Sequence, residues 1–355
     1  MWNDKDIEVA IKFCANLLQR VFPIGNASLV TKILLVEGET DATFYGRVIA
    51  DDVKILNMDR KIGGPIAARS RAETEVTGFR QAKADRGSEK SNSSYRDSCL
   101  NHKEIIVNVC RAFKTRSFYP AQLNALIGYD VYGVVDKDDA DGKNYFAEGR
   151  LFVTDTHDIE TLILYSDRRD RYKIDGKELT GEVLCKACYL AHQLKEFRDN
   201  VKYKDYLSNA QKKLLEKGNH QYADIGAMQR EPDGCKLNLN YIIGYLNLDR
   251  KKEADLRRDN KVKNLFEKNT DDWKLSLSDF QKRFKEKSEK NPWNYLNGHD
   301  IASAVVAVDP EFNKLSMSFE KALILDYKVI NFYNTKLGQA LGAANLIKPE
   351  CKLAA

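Results

Sequence analysis

The chain has 355 residues, enough for two or three domains or for one core with a large insertion. Hydrophobic residues make up 43% and charged residues 31%, which excludes a disordered chain, and the net charge of +5 permits a polyanionic partner without demanding one. No apolar run approaches the roughly 20 residues of a membrane helix, the polar N-terminus lacks a signal-peptide core, and seven scattered cysteines make no secreted disulfide framework, so a cytoplasmic protein off the membrane is expected.

Residues 6–21 carry apolar side chains at Ile7, Ala10, Ile11, Cys14, Leu17, Leu18 and Val21, the spacing of an amphipathic helix. Asn3 or Asp4 is its candidate cap, and Pro23 and Gly25 end it. Lys32 to Val36 reads as a buried strand and Asp41 to Ile49 as a helix, followed by a strand from Val53 to Met58. Residues 67–101 are rich in Arg, Ser, Asp and Glu with no apolar period, and are expected to form a flexible insertion. A helix from His102 to Phe113 follows, then a short one after Pro120, which suits a first helical turn. Val131 to Val135 and Arg150 to Val153 are the next strands, and Asp158 to Tyr165 the next helix. This alternation predicts an α/β fold with a mostly parallel sheet flanked by helices. Residues 168–290 are polar, helix-favouring and basic, with clusters at Lys212-Lys213, Arg250-Lys251-Lys252, Arg257-Arg258 and Lys282-Arg283. The expected organisation is an N-terminal helix (1–29), a catalytic core (30–167), a basic helical domain or insertion (168–290) and a C-terminal segment (291–355) that packs back on the core.

Two of the predicted strands stop at acids. Leu34-Leu35-Val36 runs into Glu37-Gly38-Glu39-Thr40-Asp41, and Val134-Val135 into Asp136-Lys137-Asp138-Asp139. In a parallel sheet the strands' carboxyl ends share one rim, where ligands bind. Glu37, Asp136 and Asp138 would converge there, and three such carboxylates repel unless a cation holds them. Hard oxygen donors suit Mg²⁺ or Mn²⁺. An EF-hand loop does not fit, because Ala140 stands at its fifth position and Gly142 at its seventh. A phosphatase-type Asp nucleophile would leave Glu37 without a role. An acidic surface turn is the plain alternative for Asp136-x-Asp138 alone, and a helix N-terminus for Glu37-Gly38-x-x-Asp41 alone.

The stretches LLVEGETDATFY and YGVVDKDDAD together resemble the Toprim domain of primases, type IA and type II topoisomerases, and overcoming-lysogenization-defect (OLD) nucleases. Val153 to Leu162 and Asn297-Gly298-His299-Asp300-Ile301 resemble the AriB-like subfamily of OLD-group Toprim nucleases, effectors of the PARIS anti-phage defence system. The resemblance implies a metal-dependent nuclease cutting phosphodiester bonds in RNA, tRNA included, or in DNA. It implies Glu37, Asp136 and Asp138 as ligands of one or two Mg²⁺ or Mn²⁺ ions, with Asp41 as a further ligand or outer-shell base. Glu160 would hold a second ion; its alternative is an acid in a helix's first turn. Lys137 and Lys143 are candidate phosphate contacts beside a charge-balance reading. An ABC-type ATPase partner and homo-oligomerisation are implied as well, since the chain has no Walker A pattern of its own.

Other readings stay open beside this one. A primase- or topoisomerase-type phosphoryl transferase would use the same acids, and a non-catalytic Toprim module would only bind nucleic acid. Cys185-x-x-Cys188 with His192 invites zinc, yet structural zinc needs four ligands, and helical spacing also suits a packed helix face. His299 reads as structural, with a helix cap as one such role. Lys202-Tyr203-Lys204-Asp205-Tyr206 reads as a nucleic-acid contact or a solvated face.

Overall fold

Parallel pairing of four strands organises the first half of the chain. The computed structural model describes residues 4–23, 30–58, 100–114, 119–137, 149–166, 171–201, 204–205, 207–216, 228–231, 234–267, 278–279, 282 and 292–349. Strands Thr31–Val36 (β1), Val53–Asn57 (β2), Tyr129–Val135 (β3) and Leu151–Val153 (β4) form one sheet in the order β2-β1-β3-β4. Every pairing is parallel, with Leu35 opposite Leu56 on one side and Gly133 on the other. β1 is central, and Ile33, Leu34, Leu35 and Val36 are all fully buried, as a strand covered on both faces requires.

The chain divides into two compact units, residues 1–155 with 328–355, and residues 156–327. In the first unit, helix Asp4–Val21 (α1) packs on helix His102–Lys114 (α3), which packs on β3 and β4. Their apolar sides share a core with Ile33 and Leu35 of β1 and Val131 and Val135 of β3. Gly133 allows α3 this close: a Cβ there would collide with Ile106 and lie 2.8 Å from the Cys110 sulfur. Helix Glu39–Val48 (α2) connects β1 to β2, and a short helix, Pro120–Leu123 (α4), precedes β3. The C-terminal residues return to this unit. Ile347 bridges Ile49, the Lys348 amide donates to the Val48 carbonyl at 3.0 Å, and Phe332 meets Phe44 edge-on at 5.1 Å. Phe332 belongs to helix Ile330–Tyr333 (α14), which leads into helix Lys336–Ala343 (α15), packed on β4.

In the second unit, helix Gly181–Val201 (α6) packs along helix Gly298–Val308 (α12). Arg198 and Asp300 form a buried two-pronged ion pair between them. Helix Ile159–Ser166 (α5) packs on Pro292–Tyr295 (α11), α12 and Phe319–Asp326 (α13). Helices Asn209–Glu216 (α7), Leu239–Tyr245 (α8), Arg250–Arg258 (α9) and Asn260–Glu267 (α10) lie between α6 and α11 in the chain. Two antiparallel hairpins also occur here, Arg171–Ile174 (β5) with Lys177–Thr180 (β6), and Met228–Glu231 (β7) with Gly234–Leu237 (β8).

The expected boundaries shift in three places. The core ends at Asp155 rather than residue 167, because α5 joins the second unit through α11, α12 and α13. The C-terminal segment is split, with 291–327 in the second unit and only 328–355 in the first. Region 168–290 holds hairpins as well as helices. Of the expected insertion, residues 67–99 lie outside the described set, while Asn101 already caps α3: it accepts the Glu104 amide at 2.8 Å and its own amide donates to Glu104 at 3.0 Å.

Candidate active site

Because β1 and β3 are parallel neighbours, Glu37 and Asp136, each one residue past its strand, meet at the carboxyl rim of the sheet. The Asp136 amide donates to Glu37 Oε1 at 2.7 Å. Sequence spacing alone placed both acids at this rim; the hydrogen bond is what joins them.

Lys103, which no sequence motif singled out, reaches the same place. Its ammonium stands 3.8 Å from Glu37 Oε1 and donates to the Asp136 carbonyl oxygen, with the lysine largely buried on the first turn of α3. Part of the counter-charge the carboxylates need is therefore internal. One signal was present in the sequence: a lysine in a helix's first turn opposes the macrodipole, so something else must hold it there.

Asp41 lies in the first turn of α2, where its Oδ2 accepts the Gly38 amide at 2.9 Å. It fixes the turn that carries Glu37. Four residues on, Tyr45 is 1% exposed, and its hydroxyl has no hydrogen-bond partner among the described residues. Burial first, then the negative charges of Asp41, Asp136, Asp155 and Glu37, push its phenol well above the ordinary range. Tyr45 is therefore a protonated donor beside the acids. A buried hydroxyl without a protein partner calls for water or a ligand. Asp155 is engaged at the start of a helix whose N-cap is Thr335. Its two oxygens accept the Lys336 and Leu337 amides at 2.7 and 3.1 Å, at the start of α15. Burial raises its pKa, and those two amides pull against that rise.

The residues fit a hard divalent cation in kind. The Glu37 carboxylate meets the backbone of Asp136, both side chains carry the hard oxygen donors such an ion takes, and the Tyr45 hydroxyl, without a partner among the described residues, leaves a polar atom to be satisfied. Among the described residues no three His, Cys, Asp or Glu side chains form a metal-holding group. Asp138, the third expected ligand, and Lys143 lie outside the described residues. Lys137 is exposed, and its amide donates to Thr154 Oγ1 at 2.9 Å, which fixes the first residue after Asp136.

Glu160 belongs to the second unit and to a charge cluster there. Its Oε1 is 3.7 Å from His299 Nδ1, which sits 3.0 Å from Glu320. Burial alone would lower the His299 pKa, but Glu160, the Glu320 hydrogen bond and Asp158 raise it to about 10. Asp158 accepts the Thr161 amide at 2.9 Å and the Gly298 amide at 2.6 Å, joining the N-termini of α5 and α12. Burial works against its charge, yet His157 and His299 hold its pKa down to about 2. Glu160 thus matches the first-turn-acid alternative and has an internal cation at hand. The cap of α12 is Asn297, whose Oδ1 accepts the His299 amide at 2.9 Å, rather than His299 itself.

Cys185 and Cys188 are buried on α6, and burial, then the charge of Cys185, pushes the Cys188 thiol upward, away from the thiolate a metal needs. His192 packs edge-on to Tyr295 at 6.1 Å. This is a packed helix face. Lys204 pairs with Asp259, while Lys202, Tyr203 and Tyr206 lie outside the described residues. Comparisons with protein-family models, with curated proteins and with solved structures returned no match.

Proposed function

We propose that this chain is a Toprim-type nuclease dependent on Mg²⁺ or Mn²⁺, of the OLD-like group, cutting phosphodiester bonds in RNA or DNA. The observation that supports this most is the meeting of Glu37 and Asp136 at the carboxyl rim of adjacent parallel strands. Glu37 and Asp136, with Asp138, would hold the cation. When bound, such an ion polarises the scissile phosphate and makes its water a nucleophile near neutral pH. Lys103 fixes the Glu37 carboxylate and the Asp136 carbonyl. Asp41 fixes the Gly38 turn, and Tyr45 keeps its proton as a hydrogen-bond donor beside the acids. Lys137 is exposed and open to a phosphate oxygen. By the same resemblance, the protein is an anti-phage effector of AriB type that oligomerises and answers to an ABC-type ATPase.

The test is cleavage of plasmid DNA and total tRNA by the purified protein, with its operon partners present, in Mg²⁺, Mn²⁺ or EDTA. Cleavage should require the cation and fall by about 10²-fold or more in Glu37→Ala, the loss typical of removing a group that stabilises transition-state charge. Cleavage that survives EDTA, or that Glu37→Ala leaves intact, would overturn the reading. Relaxed plasmid without fragments would favour the topoisomerase-type transferase. Purification of the native operon that recovers no ATPase would remove the partner from the proposal.

A further inference from the structure

α9 and α10 carry basic side chains whose charge the described residues leave uncompensated. Of α9 and its N-terminal cap, two acids are engaged: Asp249, the N-cap, pairs with Lys252 at 3.8 Å and Glu253 with Arg257 at 2.9 Å. Asp259, between the two helices, pairs with Lys204. Arg250, Lys251, Arg258 and Lys261 are exposed and have no side-chain ion pair or hydrogen bond among the described residues. At about 100° per residue, Arg250, Lys251, Arg257 and Arg258 fall within an arc of about 120°. Leu256, fully buried, lies on the opposite side of α9. Asp255 flanks the arc, part-buried and with no ion pair among the described residues.

We infer that the basic arc of α9, together with the exposed Lys261 at the start of α10, binds the phosphate backbone of a nucleic acid without reading its sequence. The chemistry favours that partner over a membrane surface: the exposed arc has no large apolar side chain to enter lipid, as an interfacial helix requires. Arg250 to Arg258 spans about 12 Å along the helix, and a strand of duplex presents a phosphate every ~3.4 Å of its axis, so several phosphates fall within reach. The inference deepens the nuclease proposal by naming where the substrate backbone is gripped, and it rests on that reading only for the substrate's class.

Binding is measurable without cleavage. Fluorescence anisotropy would follow Glu37→Ala protein in EDTA against a labelled single-stranded RNA, a tRNA and a DNA duplex, from about 50 to about 200 mM KCl. Combining Arg250→Gln, Lys251→Gln, Arg258→Gln and Lys261→Gln should weaken binding at low salt at least about tenfold. It should also flatten the log K against log[salt] slope by about 3, the sum of four phosphate contacts. A control with Arg20→Gln, Lys54→Gln, Lys321→Gln and Lys328→Gln removes equal charge from other exposed sites and should leave the slope nearly unchanged. Unaltered melting curves exclude misfolding of either variant. The inference fails if the two variants behave alike, if the first keeps wild-type affinity, or if the parent protein binds none of the three probes while binding an acidic protein partner. Binding that depends on these four residues in a protein that never cleaves would keep the surface and remove the nuclease reading. The three probes tell single-stranded, folded and duplex backbones apart.

Discussion

Lys103 beside Glu37 decides how the acids at the sheet's rim coexist. Lys103→Met removes that ammonium from beside the Glu37 carboxylate and from the Asp136 carbonyl. Glu37 is partly solvated, so the cost should be about 1–3 kcal/mol. Melting in EDTA should reveal the whole loss, and Mg²⁺ should return part of it if the acids hold a cation. Equal melting temperatures with and without Mg²⁺ would count against a cation site. Tyr45→Phe separates stability from activity. A buried hydroxyl with no partner adds little to stability, so the variant should melt at or slightly above wild type, within about 1 kcal/mol. Cleavage should nonetheless fall about tenfold if the hydroxyl meets water or substrate. Glu37 and Asp136 were legible in the sequence because an apolar run that stops at an acid marks a strand end. Lys103 was not, because its partners lie 66 and 33 residues away, and only packing brings them close.

At the scale of elements, local signals served the sheet and the helices but missed the hairpins of the second unit. The strands around Ile33 to Val36 and Val131 to Val135 form where expected because their side chains are buried on both faces. The β5–β6 hairpin was overlooked although Asp175-Gly176 is a strong turn signal. Both residues take positive φ, 48° and 77°, as a tight hairpin demands. Gly176→Ala should destabilise the protein by about 1 kcal/mol, read from a denaturant midpoint. Charged strand residues such as Arg171, Lys173, Lys177 and Glu178 hid the hairpin within a region that looked uniformly polar. Where α5 meets α12, Gly298 has no room for a side chain, since a Cβ would collide with Asp158. Gly298→Ala should cost about 1–3 kcal/mol by overpacking. A wild-type melt for that variant would mean the two N-termini part more easily than their shared Asp158 suggests.

For the molecule as a whole, the Asp158–His299 cluster ties the second unit's stability to pH. His299 titrates at about 10 instead of 6.5, so its contribution is full below 6.5 and is lost as pH rises through about 10. Asp158 titrates at about 2 instead of 3.8, so its contribution is full above 3.8 and is lost as pH falls through about 2. Both are fully present between those ordinary values. Melting temperatures of wild type and His299→Gln should differ most near pH ~6 and converge toward pH ~10. A difference independent of pH would show that His299 acts through packing alone. The division into units was not legible in the sequence because the first unit is discontinuous along the chain. Residues 328–355 return to the first sheet after an intervening unit, and no linker composition marks Asp155 as its edge.

The sequence by itself determined the parallel sheet, the strands that end in Glu37 and Asp136, and the absence of a helix that could span a membrane among the described residues. Each follows from local pattern, since burial on both faces writes continuous apolar runs and a rim writes the acids that end them. Tertiary structure alone decided that Lys103 stands among those acids, that Asp155 receives the first amides of α15, and that Glu160 faces His299 in the second unit. Those outcomes depend on contacts between residues far apart in the chain, and an acid's partner, unlike its neighbours in sequence, is fixed only when the chain has packed.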